Sequence, residues 1–284
     1  MEFKYAKVAI IMRTKDRNIF LKRAIESVVN QTYKEWILVI VNDGGNIKTV
    51  KDILGKYEKY KEKIQLINNL KSLGMEAASN KGIQSVESDY IVIHDDDDTW
   101  ENEFLNKTVT YLENNIECSG VITHSNKVIE KVEGEIISIK KIKPFNTYLK
   151  QIIDLYELCL KNLFSPISFI YRRKVFEKIG YYDESLPVLG DWEFNLRFIK
   201  LYDIHIIEER LANYHQRPQI KKGIYSNSIV GGRKTHLYYE TLIKNKLLRV
   251  DIKSGKLGMG TIINLSRGYK SSGFIRTIRQ KLFL

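Results

Sequence analysis

Residues 8–45 read VAIIMRTKDRNIFLKRAIESVVNQTYKEWILVIVNDGG. Two unbroken apolar runs, Val8–Met12 and Trp36–Val41, flank a segment in which Leu21, Ala24, Ile25, Val28 and Val29 recur at helical spacing. Short apolar runs without polar alternation are strands buried on both faces, and a helix between two of them makes a parallel pair. Each run ends in a polar corner, Arg13–Asn18 after the first and Asn42–Asp43 before Gly44 and Gly45 after the second. This strand–helix–strand unit sets the fold class as α/β.

The alternation continues outward. A helix is predicted over 48–61, a strand in IQLINN (64–69), a helix in GMEAASNKGIQSV (74–86) and a strand in DYIVIH (89–94). That strand runs into four consecutive carboxylates, Asp95, Asp96, Asp97 and Asp98. Ligands of such sheets bind beyond the carboxyl ends of the strands, so Thr14–Arg17, Asn42–Asp43 and Asp95–Asp98 are expected to meet on one edge. Past Trp100 the pattern predicts a helix over 102–115, a hairpin from 119–130 and 134–143, and a helix over 145–162. A strand, short helix, loop, helix and strand follow over 167–209. There is no Pro-, Gly- or Ser-rich linker and no repeat. One body is expected over 1–217, with halves 1–98 and 99–217, followed by a basic helical extension over 218–284.

Composition narrows the function classes. A hydrophobic content of 43% in 284 residues is that of a folded chain. No apolar run is long enough to span a bilayer, and the first one breaks at Arg13, so neither a signal peptide nor a membrane span is expected. Cys118 and Cys159 lack disulfide-framework or metal-ligand spacing and read as buried thiols of a cytoplasmic protein. The net charge of +12 gathers in the tail, where Asp251 is the sole acid from Lys244 onward. The near-balanced body argues against a nucleic-acid partner.

Two adjacent carboxylates about 4 Å apart repel by roughly 1 kcal/mol in water and about 4 at an effective dielectric of 20. Four of them at a strand end therefore imply a cationic counterpart. A hard divalent cation suits carboxylate oxygens, and Mg²⁺ takes one or two of them plus substrate phosphates. An EF-hand is excluded, because its sixth-position Gly is missing.

The 8–45 stretch resembles the opening of family 2 glycosyltransferases of GT-A fold: a strand, Pro-Thr-x-Asn-Arg, a helix ending Ser-Val-x-x-Gln-Thr-Tyr, and a strand ending Asp-Asp-Gly-Ser. NLKSLGMEAASNKGI (69–83) resembles the family's Asn-x-Gly-x-x-x-Ala-Arg-Asn-x-Gly segment, and IVIHDDDDTW (91–100) its Asp-x-Asp segment. GYYDESLPVLGDWEFNLRF (180–198) resembles the later Glu-Asp segment. The resemblance implies a Rossmann-like, mostly parallel central sheet flanked by helices. It also implies an inverting, metal-dependent transferase of the bacterial surface-polysaccharide type, using Mn²⁺ or Mg²⁺. The donor would be a nucleotide sugar and the acceptor a saccharide or lipid-linked saccharide.

Carried over by position, Thr14 and Arg17 border the nucleotide base, and Asp43 pairs with it. An Asp there suits the imide N–H of uracil or thymine, so a UDP-sugar is favoured. Asp95 reaches the ribose, Asp96 is the variable middle residue on the nucleotide side, Asp97 binds the metal, and Asp98 falls to the outer or acceptor side. Asp191, at the entry to a helix whose N-terminus favours its charge, is the base that takes the acceptor's proton; Glu193 is its rival. His215 is placed against the metal and Arg217 against a phosphate. His94, His124, His205 and His236 read as structural. Four positions depart from the pattern: Arg13 stands for Pro, Asn42 for the first Asp, Ser79 for Arg, and Gly190 for the Glu before Asp191.

Two other classes compete. A non-catalytic module would have little reason to keep both Asp97 and Asp191, and a nucleotidyltransferase would favour a Gly-rich loop where RTKDRN stands. GFIRTIRQKLFL (273–284) reads as a basic amphipathic helix, either docked on an anionic membrane or packed on the body.

Overall fold

The computed structural model describes residues 5–220, 223–226 and 232–265. Strand β1 (Tyr5–Thr14) leads through α1 (Asn18–Val29) to β2 (Trp36–Asp43), and α2 (Ile47–Leu54) to β3 (Ile64–Asn69). Helix α3 (Met75–Gln84) then leads to β4 (Glu87–Asp95) and the short β5 (Thr99–Trp100). In the second half α4 (Phe104–Asn114) precedes the β6 (Gly120–Glu133)–β7 (Ile136–Phe145) hairpin, α5 (Leu155–Leu160) and β8 (Phe169–Arg172). Then come α6 (Phe176–Ile179), α7 (Gly190–Ile199), β9 (Ile204–Gln216) and α8 (Arg233–Ser254).

One sheet runs in the order β3-β2-β1-β4-β8-β6-β9-β5, with β7 on β6. The first four strands are parallel, as their unbroken apolar runs predict. Period-two alternation splits their side chains between two cores. Ala9, Ile11, Val39, Val41, Ile91 and Ile93 face α3 and the α7 aromatics, while Val8, Ile10, Met12, Leu38, Ile40 and Val92 face α1 and α4. Helix α3 lies close on β1 because Gly82 has no side chain; a Cβ there would stand 2.6 Å from Ile11 Cγ2. The register sets Arg13 beside Asp95, Thr14 beside Asn42 and Asp43 beside Asn69, so the three polar strand ends share one edge.

Two predicted helices differ. That over 48–61 stops at Leu54, and Gly55–Tyr60 tightens into a 3₁₀ turn. The longer one over 145–162 shrinks to Leu155–Leu160, capped by the Asp154 carboxylate on the Glu157 amide. Asn146 and Gln151 adopt left-handed φ of 56° and 57°, which an α-helix does not admit. From Gln151 to Ile153 the chain instead runs along β9, the amide of Ile153 bonding to Ile204 O and that of Ile206 to Gln151 O.

The described part of the C-terminal extension packs on the body. From α8, Ile243 enters the α7 core, Lys244 Nζ lies 5.6 Å over the Trp192 ring, and Lys246 pairs with Asp183 at 2.9 Å. Among the described residues no helix is long and apolar enough to cross a membrane. The basic amphipathic segment 273–284 lies outside the described residues.

Candidate active site

The carboxyl ends of β1 and β4, the start of α7 and the start of α8 enclose a cleft of about 250 Å³. Its walls carry Arg13, Arg17, Glu76, Asp95, Asp97 and Asp191, with Phe145, Phe164 and Tyr214 as apolar surface and His236 at the rim. Residues separated by more than 170 positions in the chain are thus brought to one opening. A larger surface hollow between Asn115 and His205 holds none of them.

The four aspartates diverge here. Asp95 pairs with Arg13. Asp96 is buried, accepting from Thr14 Oγ1 at 2.7 Å and Arg17 at 3.0 Å. Burial and the neighbouring Asp97 push its carboxyl up to about 6, against the pull of Arg17. Burial also works against the charge of Asp97, yet Arg17, at 3.2 Å, and Arg217 hold it below its ordinary value. Asp98 accepts the His215 backbone N–H at 2.8 Å, and burial and its acidic neighbours raise it well above a normal carboxyl.

Beneath this turn lies a network that the sequence did not disclose. Glu130 of β6 is fully buried and accepts from Arg23 at 2.8 Å, His215 Nδ1 at 2.9 Å and Arg217 at 2.6 Å. Burial opposes its charge, but the His215 and Arg23 hydrogen bonds bring it down to about 2. With an ionised acceptor at Nδ1, the His215 ring carries its proton there, and Nε2 accepts from Thr99 Oγ1 at 3.0 Å. Both ring nitrogens are engaged within the protein. His215 therefore braces the acidic turn from below. Arg217 spans Asp97 and Glu130 and donates from Nε to the Tyr225 carbonyl.

Asp43 also has a local task. Its two oxygens accept from Asn69 Nδ2, Ser72 Oγ and the backbone amides of Leu73 and Gly74, all within 3.1 Å. These donors hold its carboxyl low against the effect of burial and fix the loop that enters α3.

Asp191 sits in the first turn of α7, where Leu189 at φ 65° occupies the cap position, so Asp191 is not the N-cap. Asn162 Nδ2 donates to it at 2.6 Å. Its carboxyl is raised, burial first and the nearby Asp95 adding to it, against the Trp192 amide, Arg13 and Asn162. The helix N-terminus alone suggested the opposite; desolvation outweighs it. Glu193, the rival base, is held on both oxygens by Arg197 at 2.8–3.0 Å, and Arg197 is itself tied to the 179–181 carbonyls. Glu193 does not line the cleft.

Two of the four departures are spatially linked. Arg13 reaches Ser79 Oγ at 3.2 Å and Glu76 at 3.8 Å, so a guanidinium from β1 stands beside the position where the family pattern has an Arg on α3. Glu76 fills the space that Gly190 leaves. The signal was present as a charge in an apolar strand, but its partners lie more than 60 residues away.

Burial pushes the Glu76 carboxyl up to about 7, with Asp191 and Asp95 adding to the shift and Arg13 opposing it. A carboxyl raised on folding stabilises the fold relative to the unfolded chain most below its ordinary value. That contribution is lost as pH climbs through about 7. Glu76→Gln, fixed neutral, is therefore expected to melt above wild type at pH 8, by up to about 3 kcal/mol, and to approach it below about pH 4. Equal differences at both pH values would contradict this burial account.

Asp95 and Asp97 offer the hard oxygens that suit Mg²⁺ or Mn²⁺ when substrate phosphates complete the shell. Among the described residues no three acidic, His or Cys side chains form a ready cage. The donor set fits a cation held jointly with a diphosphate.

The fold, a parallel half-sheet with an acidic strand end and a carboxylate at a helix start on one cleft, is of the GT-A type. Residues 9–180 match glycosyl transferase family 2, and the chain belongs to that family and is a glycosyltransferase. It is 31% identical over 209 residues to the uncharacterized glycosyltransferase MJ1057 of Methanocaldococcus jannaschii, covering 73% of this chain and 70% of that protein. Its fold is similar to S. aureus TarS 1–349 in complex with UDP-GlcNAc, with a TM-score of 0.58, 18% identity and coverage of 74% and 59%. It is also similar to GalNAc-T7 with UDP, GalNAc and Mn²⁺, with a TM-score of 0.59, 14% identity and coverage of 75% and 44%. The chain thus spans less than two thirds of those two structures.

Proposed function

We propose that this glycosyltransferase moves a sugar, with inversion, from a nucleoside diphosphate sugar to a hydroxyl of a saccharide or lipid-linked saccharide. The observation that carries the reading is that Asp95, Asp97 and Asp191 line one cleft. An in-line displacement needs a leaving diphosphate on one side of the sugar and a base on the other. Asp191 takes the proton from the acceptor hydroxyl as its oxygen attacks the anomeric carbon. Arg17 binds and orients the diphosphate, Arg217, buried below the turn and not on the cleft wall, holds Asp97 in place, and Thr14 and Asp96 border the nucleoside. Asp95 meets the ribose, and Asp43 sets the loop against which the base lies. A divalent cation on Asp97 would supply Lewis-acid stabilisation of the departing diphosphate.

A UDP-sugar is the favoured donor, supported by the UDP and UDP-GlcNAc complexes of TarS. A role in cell-surface polysaccharide synthesis draws support from 28% identity over 105 residues, 37% of this chain, to the putative teichuronic acid biosynthesis glycosyltransferase TuaG of Bacillus subtilis. Thermal melting with UDP, GDP, CDP and dTDP, with and without Mn²⁺, tests the reading. UDP with Mn²⁺ is expected to give the largest rise, about 2.7 kcal/mol at a hundredfold excess over Kd, and Asp97→Asn to remove the Mn²⁺-dependent part. No rise with any nucleotide, with or without metal, would overturn the donor assignment.

A further inference from the structure

One charged side chain of the cleft has no task in the reaction as described. Glu76 is nearly fully buried, lines the cleft, and has an oxygen, Oε2, with no hydrogen-bond partner among the described residues. Its nearest cation is Arg13, whose Nη1 is 3.8 Å away, beyond hydrogen-bond reach, and Arg13 is already committed to Asp95 and Ser79. Buried carboxylate oxygens are seldom left unpaired, since an orphaned acceptor bears its full desolvation penalty. An orphan oxygen on a residue of the cleft wall points to a ligand donor.

The backbone has made room for it. A Cβ at Gly190 would stand 2.4 Å from both Cδ and Oε1 of Glu76 and 2.6 Å from its Cγ. Position 190 must therefore be Gly for Glu76 to lie where it does. The α7 start, which carries Asp191, and the α3 start, which carries Glu76, close on each other around this one side chain.

We infer that Glu76 is a specificity-determining residue that accepts a hydrogen bond from a hydroxyl of the transferred sugar. The inference rests on the donor reading above and extends it to the hexose ring. The ring must lie between the diphosphate end of the cleft, at Asp95 and Asp97, and the base, at Asp191. Glu76 shares that wall with all three. Its carboxylate is acceptor-only when ionised and so selects hydroxyl or amide N–H groups over bare ring carbons.

The test compares UDP with UDP-glucose, UDP-galactose, UDP-GlcNAc and UDP-GalNAc by calorimetry with Mn²⁺, on wild type, Glu76→Gln, Glu76→Ala and Gly190→Ala. In wild type at least one UDP-hexose is expected to bind more tightly than UDP. Glu76→Ala should cut that preference by about tenfold to a hundredfold while leaving UDP affinity unchanged. Glu76→Gln should retain part of it through the amide oxygen. Gly190→Ala, which displaces the carboxyl without removing it, should behave like Glu76→Ala. An unchanged preference in the variants overturns the inference, as does equal loss of UDP and UDP-hexose, or a wild type that prefers no hexose. If wild type fails to bind UDP itself, the donor reading falls, and this inference with it.

Discussion

Asp191→Asn is expected to lower kcat by about a thousandfold or more while donor affinity stays near wild type. General-base catalysis alone contributes about 10²–10⁴, and the other carboxylates of the cleft are assigned elsewhere: Asp95 pairs with Arg13, Asp97 with Arg17 and Arg217, and Glu76 is assigned to a sugar hydroxyl. Glu193 is two positions on, but Arg197 holds both of its oxygens. Glu193→Gln is accordingly expected to leave kcat within a fewfold of wild type and to cost some stability. The raised carboxyl of Asp191 adds a sign. A base must be ionised, so kcat/KM should fall on acidification at a pH above that of an ordinary aspartate. Steady-state rates over pH 4–8 check both statements. Normal turnover by Asp191→Asn would remove it from the role of base.

Glu130→Gln carries the largest expected stability loss. The wild-type carboxylate is fully buried and neutralises Arg217, also fully buried, together with part of Arg23. Removing one partner of a buried ion pair strands the other charge and costs about 3–5 kcal/mol. The amide offers one acceptor oxygen where three donors converge, and its NH₂ would face His215 or a guanidinium. The shift of Glu130 down to about 2 gives the same sign: its ionised form stabilises the fold above the ordinary carboxyl range, and this is lost on acidification. Urea or thermal unfolding at pH 7 measures the loss. Because Arg217 also pairs with Asp97, Glu130→Gln is further expected to weaken the UDP response. A variant as stable as wild type would mean that Arg217 finds its charge balance elsewhere.

The first four strands were legible because a strand buried on both faces has no choice but to be apolar throughout. The helices between them had to show their apolar stripe to the same sheet. That reasoning also set Thr14, Asn42, Asp43 and Asp95 at strand ends that share one edge of the sheet, whereas Asp191 came from the family resemblance alone and lies on the cleft wall with Asp95 and Asp97. It failed where local pattern was overridden. Residues 145–162 carry apolar side chains at helical spacing, but left-handed Asn146 and Gln151 and the pairing with β9 took that chain out of the helix. The Glu130 network was not legible, since an acid in an apparently ordinary hairpin gives no sign of partners 85 to 107 positions away. Nor was the fit of Glu76 to Gly190, which exists only as a missing volume.

The pairing of the acidic turn changes what a substrate meets on approach. Arg13 answers Asp95, Arg17 answers Asp96, Arg217 answers Asp97, and Asp98 is driven toward its neutral form. Much of the charge of the four consecutive acids is thus balanced within the protein, Arg217 being shared between Asp97 and Glu130. A nucleoside diphosphate, anionic itself, is not turned away by the carboxylates that would later hold its counter-ion. Its encounter with the cleft should be set by shape and diffusion and depend only weakly on ionic strength, without the electrostatic funnelling that a bare acidic or basic mouth would impose.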